Sequence, residues 1–417
     1  MYKEKRIYFG YNSRKRERRR RIRFVFLCAL CAALLCGSFF GVRYLKENGY
    51  FSRPSPVAEE QPAEEPEEPP AVKAKGLYIT AYLAGTEDKL AHYIEICDTT
   101  EINALVIDVK DDRGQITFAS AVEGASEANR NIIPDIETTV SRLKNHGIYT
   151  IARIVCFKDP IWSRLHPELA IKSGGGASWR DSSGLTWLDP YKTAAWDYIS
   201  AVAKEAARIG FDEVQLDYVR FPSDGRLRDI SYGSAGEEKT KAEAISEFLV
   251  YIRTALADEN VRLSADIFGI SVVNKGDHEN IGQDLELLLL NADCICPMIY
   301  PSHFANKRQN GVGQEINWII YEAPDKQPYE VVYNTLLLLA NRLPEDEACA
   351  VIRPYLQDFT AAYLGNDYHL TYTANEVREQ IKAVYAAGFE EWILWNASGT
   401  YSEDAFAPYA EEISPPL

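Results

Sequence analysis

Short apolar runs recur along most of the chain at a spacing of roughly 40 residues, with amphipathic stretches between them. This alternation is typical of β/α units around a parallel sheet. Eight runs are predicted to be strands, at residues 77–82, 104–109, 149–155, 213–218, 262–268, 293–299, 350–356 and 391–396. Helical patterns lie between them, for example at residues 193–208, 239–257, 328–342 and 375–387. Glycines that follow three helices are predicted to cap them, namely Gly147, Gly210 and Gly388.

Eight such units in residues 76–417 predict an α/β fold, a (β/α)8 TIM-like barrel with enlarged loops. A doubly wound open sheet is the alternative arrangement of the same elements. That fold usually carries a glycine-rich phosphate-binding turn after its first strand, and this chain has no such turn there. The barrel is therefore the predicted architecture.

The first 50 residues differ in charge from the rest of the chain, with 13 Lys and Arg against 3 Glu, whereas residues 51–417 carry 32 basic against 58 acidic residues. Residues 24–42 contain no charged side chain and are long enough to cross a bilayer as a helix. The run RKRERRRRIR at 14–23 precedes this stretch, so the positive-inside rule predicts a basic cytoplasmic segment at 1–23 and a transmembrane signal anchor at 24–42. Cleavage near Cys36 is the alternative and would give a secreted protein.

Residues 43–75 are rich in Pro and Glu and are predicted to form a disordered spacer that holds the barrel away from the membrane. The orientation of the anchor predicts that the barrel lies outside the cell membrane. The acidic charge of this exported part disfavours nucleic acid as a partner. The six histidines have no spacing suited to zinc, and no metal or cofactor is predicted. Cys294 and Cys296 lie in an apolar run and are predicted to be buried strand thiols.

Carboxylates lie at the ends of three predicted strands. In a barrel these ends form the mouth, and alternation along each strand decides which side chains point inward. The pattern predicts that Asp108, Asp217 and Asp266 all face inward at the mouth. Two carboxylates at neighbouring strand ends suit glycosidic cleavage, in which one stays ionised and the other is held protonated. A structural ion pair between Asp217 and Arg220 is the alternative interpretation.

A sugar site also needs aromatic rings and polar partners for hydroxyl groups. Trp179 and Trp187 lie among Gly, Ser and Asp in the long segment after the third strand, and they are the better candidates for exposed stacking platforms. The predicted substrate-binding residues are these two tryptophans together with Lys110, Arg153, Gln215, Arg220, Tyr300, Gln357, Trp395 and Asn396.

Eight sequence motifs, in order along the chain, resemble those of a known protein family. The runs are KGLYIT (75–80), ALVIDVKDDRGQI (104–116), TIARIVCFKDP (150–160), FDEVQLDYVRFPSDG (211–225), LSADIFG (263–269), CPMIYPSHF (296–304), IRPYLQDF (352–359) and WILWNASGTY (392–401). Together they resemble a bacterial family of predicted glycoside hydrolases with a barrel fold, the domain of unknown function 4015. The resemblance implies a membrane-anchored or secreted glycosidase-like barrel.

Among barrel glycosidases in general, the carboxylate that ends strand four commonly acts as the nucleophile, and the resemblance places this role on Asp217. Asp266 is the first choice for its catalytic partner, followed by Asp358 and Asp108. The function expected is hydrolysis of cell-wall or exopolysaccharide glycosidic bonds outside the membrane, with a polysaccharide as substrate. The alternative is a catalytically inert barrel that binds wall glycan and tethers or senses it.

Overall fold

The strands form a closed parallel barrel in the computed structural model, which describes residues 72–344 and 350–408. The barrel strands are β1 (Lys75–Ile79), β2 (Ala104–Lys110), β3 (Tyr149–Val155), β4 (Glu213–Asp217), β5 (Arg262–Phe268), β6 (Cys294–Met298), β7 in two segments (Val351–Ile352 and Tyr355–Gln357) and β8 (Trp392–Trp395). Each strand pairs in parallel with the next, and β8 pairs with β1. The predicted (β/α)8 barrel is confirmed.

One helix follows each of the first seven strands and leads the chain to the next strand. These helices are α1 (Glu87–Thr99), α2 (Ile136–Asn145), α3 (Thr193–Ile209), α4 (Lys241–Ala255), α5 (Leu285–Leu289), α6 (Pro328–Ala340) and α7 (Ala374–Ala386). The four helices predicted by range all form within a few residues of the predicted bounds. Gly210 ends α3 with φ +107°, a left-handed conformation that glycine adopts without a Cβ clash.

Shorter elements lie in the enlarged loops. One-turn helices form at Ala81–Ala84, Trp162–Leu165, Ala235–Glu238, Ile270–Val273 and Lys307–Asn310. Turns of 3₁₀-helix form at Ala125–Glu127, Pro167–Leu169, Leu227–Asp229, Pro301–His303, Pro324–Lys326, Ala362–Leu364 and Glu403–Ala405. Two antiparallel pairs join Lys172–Ser173 to Ile230–Ser231 and Gln314–Ile316 to Ile319–Tyr321.

Most strands lie within one residue of their predicted bounds, and two differ more. The first ends at Ile79 instead of residue 82, because Thr80 caps the helical turn Ala81–Ala84. The seventh is interrupted at Arg353 and Pro354, where proline has no N–H group to donate to a neighbouring strand. The chain resumes the barrel at Tyr355, so the ring stays closed.

The apolar side chains form two clusters on opposite sides of the sheet. The larger cluster fills the space between the outer face of the strands and the helices. The smaller cluster lies inside the barrel and includes Val106, Ile151, Ile393 and the thiols Cys294 and Cys296. Both thiols are fully buried on β6, as predicted. This division confirms the period-2 pattern used to choose inward-facing residues.

A buried ion cluster lies at the base of the barrel, at the amino-terminal ends of the strands. Arg353 is fully buried, and its Nη1 lies 2.7 Å from Glu213 Oε1 while its Nε lies 2.8 Å from Glu391 Oε2. The Tyr149 hydroxyl donates a further hydrogen bond of 3.1 Å to Glu213. The cluster joins the starts of β4 and β8 to the break in β7, so it holds three strands in position.

Because Arg353 neutralises two buried carboxylates, Arg353→Met should lower the free energy of unfolding by about 3–5 kcal/mol. Urea unfolding followed by circular dichroism measures this change. Arg253→Met is the matched control, since Arg253 pairs with Asp293 at 3.0 Å in an exposed position and should cost at most about 1 kcal/mol. Equal losses in the two variants would contradict a stabilising role for the base cluster.

Within the described ranges, no helix is both long enough and apolar enough to cross a membrane. The predicted cytoplasmic segment at 1–23, the predicted span at 24–42 and all but the last four residues of the predicted spacer at 43–75 lie outside these ranges, as does Cys349.

Candidate active site

A cavity of about 480 Å³ opens at the carboxyl-terminal ends of the barrel strands. Two arginines and two aspartates line it, namely Arg153, Arg220, Asp217 and Asp266, together with His303. Aromatic rings form much of the remaining wall, from Tyr218, Phe268, Tyr300, Phe304, Tyr355 and Trp395. The cavity therefore combines paired carboxylates with apolar surfaces, the two ingredients that the sequence predicts for the mouth.

Asp217 is the last residue of β4, and its carboxylate is held by hydrogen-bond donors. Arg153 on the neighbouring strand β3 donates to Asp217 Oδ2 from Nε at 3.0 Å and from Nη2 at 2.5 Å. The backbone N–H of Tyr218 donates to Oδ1 at 2.6 Å. Every partner is a donor, as an ionised carboxylate requires. The alternative interpretation, an ion pair between Asp217 and Arg220, is wrong, because the arginine that pairs with Asp217 is Arg153.

Arg153 is itself fixed by a second carboxylate. Its Nη1 donates to Asp108 Oδ1 at 2.6 Å, and the Tyr78 hydroxyl donates to Asp108 Oδ2 at 2.6 Å. Burial lowers the pKa of Arg153, but the carboxylates of Asp217 and Asp108 raise it above its ordinary value. Asp108 faces inward as predicted, yet it lies behind Arg153 and does not line the cavity. From this position Asp108 orients the Arg153 side chain.

The residue after Asp217 has an unusual backbone. Tyr218 adopts φ +50°, a left-handed conformation that is uncommon for a bulky side chain. Such strain costs on the order of 1–3 kcal/mol and persists where the surrounding structure holds the residue in place. Here it brings the Tyr218 N–H onto the Asp217 carboxylate and the ring into the cavity wall.

Asp266 on β5 has the opposite environment to Asp217. It is 1% exposed, and its Oδ1 has no hydrogen-bond partner among the described residues. Burial, and secondarily the charge of Asp217, raise the pKa of Asp266 well above its ordinary value. The environment of Asp266 therefore favours its protonated form, whereas the carboxylate of Asp217 receives only hydrogen-bond donors.

The strand register brings the backbones of Asp217 and Asp266 to the same level of the barrel. Leu216 on β4 pairs with Ala265 on β5, so the next residues, Asp217 and Asp266, are level on strands about 4.8 Å apart. Tyr300 and Trp395 both line the cavity and pack against each other, with ring centroids 5.8 Å apart. The aromatic pair offers an apolar surface in the same cavity as the charged groups.

Lys110 does not face the mouth, so that part of the prediction is wrong. The pairing of β2 with β3 shifts register between Asp108 and Lys110, and this bulge turns the lysine out of the barrel. Its Nζ lies 2.9 Å from Asp159 and donates to the Val155 carbonyl at 2.6 Å, with no exposed surface.

Gln215 points into the barrel as predicted, but it lies below the cavity. The Tyr355 hydroxyl donates to Gln215 Oε1 at 2.5 Å, and Gln215 Nε2 donates to the Cys296 thiol at 3.3 Å. Gln357 is also fully buried, where it accepts from the Ser302 N–H and donates to Asp325. Neither amide is accessible to a substrate in this arrangement.

Asp358 and Asn396 have structural contacts outside the cavity lining. Both Asp358 oxygens accept from Ser402, one from its N–H and one from its hydroxyl, each at 2.8 Å. Asn396 donates to the carbonyls of Asp358 and Thr400 and thereby closes the loop after β8. The prediction of Asp358 as a catalytic candidate is not supported by its position.

The tryptophans predicted as exposed platforms are buried. Trp179 is 4% exposed and donates to the Arg226 carbonyl, and Trp187 is 3% exposed and donates to Asp181. The loop that carries them folds on itself through the bridges Ala170 to Leu188 and Arg180 to Thr186, so its large rings pack inside. Trp187 still supports the site, since the Arg220 guanidinium lies 5.1 Å from its ring.

Several cavity residues were missed by sequence reasoning. Tyr355 is in phase with the predicted inward position Gln357 and could have been found by the same alternation rule. Tyr218 follows the inward-facing Asp217 and reaches the cavity because of its left-handed backbone, which alternation does not predict. Phe268, Met298 and Phe304 belong to the LSADIFG and CPMIYPSHF runs, but their position depends on how the loops after β5 and β6 fold back over the barrel.

Comparisons with known proteins agree with this architecture. The chain resembles the PgaB (BpsB) glycoside hydrolase domain from Bordetella bronchiseptica with a TM-score of 0.58 and 12% identity, covering 81% of this chain and 99% of that one. The α-L-fucosidase isoenzyme 2 from Paenibacillus thiaminolyticus gives a TM-score of 0.50 and 11% identity, covering 80% and 48%. At these identities the likeness establishes the barrel fold.

A hypothetical protein from Ruminiclostridium thermocellum is more similar in sequence, with 43% identity over 46% of this chain and 96% of that chain, and a TM-score of 0.42. A comparison with curated proteins gives no match. The sequence model of the family described as "Putative glycosyl hydrolase domain", domain of unknown function 4015, matches residues 76–401. This match confirms the resemblance carried by the eight motifs, and the chain belongs to this glycosyl hydrolase domain family.

Proposed function

We propose that this protein hydrolyses the glycosidic bonds of a polysaccharide with Asp217 as nucleophile and Asp266 as general acid and base. The observation that carries the proposal is the contrast between two carboxyl groups that line one cavity. Asp217 receives hydrogen bonds from Arg153 and from a backbone N–H, whereas Asp266 is buried and its pKa is raised. Such a difference assigns the roles in a two-carboxylate glycosidase.

In the first step the Asp266 carboxyl proton passes to the glycosidic oxygen as its bond to the anomeric carbon breaks. A lone pair of Asp217 attacks the anomeric carbon and forms a glycosyl ester. In the second step the Asp266 carboxylate takes a proton from water, whose oxygen attacks the same carbon and releases Asp217. The level strand ends support this retaining course, since retaining pairs are about 5–5.5 Å apart.

The substrate class proposed is a cell-wall or exopolysaccharide glycan. Rings such as Tyr300 and Trp395 in the cavity wall suit the apolar faces of sugar rings, and the charged groups suit their hydroxyls. The test is to incubate the protein with a panel of bacterial glycans and to measure release of reducing ends, with the Asp217→Asn protein as control. Binding without release would favour the alternative, an inert barrel that tethers or senses glycan.

The proposed location is outside the membrane, on the basis of the basic run at 14–23 before the uncharged stretch at 24–42. Protease added to intact cells should then remove the barrel domain while a cytoplasmic control protein survives. Survival of the domain, under conditions that digest a known surface protein, would contradict the proposed orientation. Comparing the mature N-terminus with the encoded one shows whether the segment is an uncleaved anchor or is removed.

A further inference from the structure

Arg220 differs from the other buried arginines of the barrel. Arg153 and Arg353 each contact two carboxylates. Arg220 is 7% exposed and lines the cavity, yet no carboxylate among the described residues lies within 4.0 Å of it. Burial lowers the pKa of Arg220, and the carboxylates of Asp217, Asp224 and Asp181 act on it only from a longer distance. A buried cation without a directly paired counter-charge is costly, so its position in the cavity wall calls for an explanation.

The hydrogen bonds of Arg220 leave one edge of its guanidinium free. Nη1 donates to the Phe221 carbonyl at 2.9 Å and to the Ser223 hydroxyl at 3.2 Å. Nε and Nη2 donate to no described residue. These two N–H groups lie side by side on one edge, the arrangement that receives both oxygens of a carboxylate.

Aromatic rings hold the guanidinium in place without neutralising it. Its central carbon lies 4.5 Å from the Phe268 ring centroid, 4.9 Å from Tyr218 and 5.1 Å from Trp187. These contacts fix the side chain and remove water from it, which strengthens any charge pair formed there. The cation is thus positioned before a ligand arrives.

We infer that Arg220 binds a carboxylate group of the glycan, so that the substrate class is an acidic polysaccharide. This inference rests on the proposed function, because it names the substrate of the same cavity. The carboxylate can come from a uronic acid or from a lactyl ether, as on a muramic acid. A neutral hydroxyl would not supply the missing counter-charge, and charge-assisted bonds are roughly twice as strong as neutral ones.

The acidic charge of the exported part opposes this binding at long range. Residues 51–417 carry 32 basic and 58 acidic residues. At physiological ionic strength such repulsion is screened beyond about 8 Å, whereas a direct guanidinium–carboxylate contact forms at about 3 Å. The local contact therefore decides affinity, and the repulsion mainly slows association.

The test measures binding of the full-length chain in detergent to matched pairs of polymers by affinity electrophoresis. One pair is a polyuronate and its carboxyl-reduced form, and the other is peptide-free glycan strands with muramic acid and their carboxyl-reduced form. Wild-type protein should bind the acidic member of one pair at least tenfold more tightly than its reduced partner. The pair that shows this preference identifies the source of the carboxylate.

Variants test whether the preference for the acidic polymer depends on Arg220. Arg220→Gln should abolish the preference, and Arg220→Lys should retain only part of it, because lysine keeps the charge and loses the paired edge. Arg308→Gln is the matched control, since Arg308 lies 5.6 Å from the Tyr368 ring outside the cavity, and it should retain the full preference. Melting temperatures verify that each variant is folded.

Equal binding of acidic and reduced polymers by the wild-type protein would overturn the inference, as would no binding of any polymer or a preference that survives Arg220→Gln. Release of reducing ends is measured in the same samples. A preference that depends on Arg220 without such release would support the inference and contradict the hydrolase proposal. Equal release of reducing ends from the acidic and the reduced polymers, without a binding preference, would support the hydrolase proposal and contradict the inference about Arg220.

Discussion

Asp217→Asn should lower the turnover of glycan hydrolysis by roughly three orders of magnitude or more, while the protein stays folded. Asparagine keeps the volume of the side chain and can still accept the Tyr218 N–H, but it loses the charge that attacks the anomeric carbon. Arg153 retains Asp108 as a partner, so the arginine is not left without a counter-charge. Turnover and melting temperature are measured on the same purified protein.

Asp108→Asn is the matched control for this prediction. It removes the other carboxylate from the same arginine, but the side chain it changes does not line the cavity. We expect both variants to stay folded and a far smaller loss of turnover in Asp108→Asn. A stable Asp217→Asn protein with wild-type turnover would exclude Asp217 as the nucleophile.

Asp266→Asn should also abolish most of the activity, but it should stabilise the protein at neutral pH. The activity loss should be smallest on aryl glycosides with acidic leaving groups, because those bonds break without a proton. The stabilisation follows from burial, which raises the pKa of Asp266 well above its ordinary value. Asparagine resembles the protonated form that the folded protein prefers.

The gain in unfolding free energy from Asp266→Asn should depend on pH. Below the unfolded-state pKa of about 4, both states of the wild-type protein hold the proton and the variant should gain little. As pH rises above that value, the unfolded state releases the proton and the folded state keeps it, so wild-type stability falls by about 1.4 kcal/mol per pH unit until the folded-state pKa is reached. The advantage of Asp266→Asn should therefore grow over this window. If the difference in unfolding free energy between Asp266→Asn and the wild-type protein does not change between pH 4 and 7, the pKa of Asp266 is not raised in the folded state.

Regular strands explain why part of the site could be predicted from sequence. On β4 and β5 the period-2 alternation continues to the last residues, so Asp217 and Asp266 face inward as expected. On β2 the bulge after Asp108 breaks the alternation and removes Lys110 from the mouth. Nothing in the run VIDVKDD marks that bulge, because it arises from how β2 pairs with β3.

Tertiary contacts explain the other differences. In the sequence, Arg220 is close to Asp217, and Arg153 is on the preceding predicted strand. The pairing of β3 with β4 places Arg153 against Asp217, and this contact cannot be read from the sequence. Trp187 lies in a polar stretch of sequence, yet the folded loop buries it against Tyr218 and Arg220. Local composition predicts exposure only where a loop does not fold on itself.

The inward residues of β4 lie at three levels of the barrel. Glu213 belongs to the ion cluster at the base, Gln215 contacts Tyr355 and Cys296 in the middle, and Asp217 lines the cavity. Their hydrogen-bond partners are separate, so a substitution at one level leaves the bonds of the other two intact. Substitutions among the other residues of the cavity wall can therefore change the sugar that is recognised, while the two aspartates and the residues that close the barrel are retained. Relatives of this chain should therefore differ first in the cavity residues around Asp217, while the proposed nucleophile and Glu213 are retained.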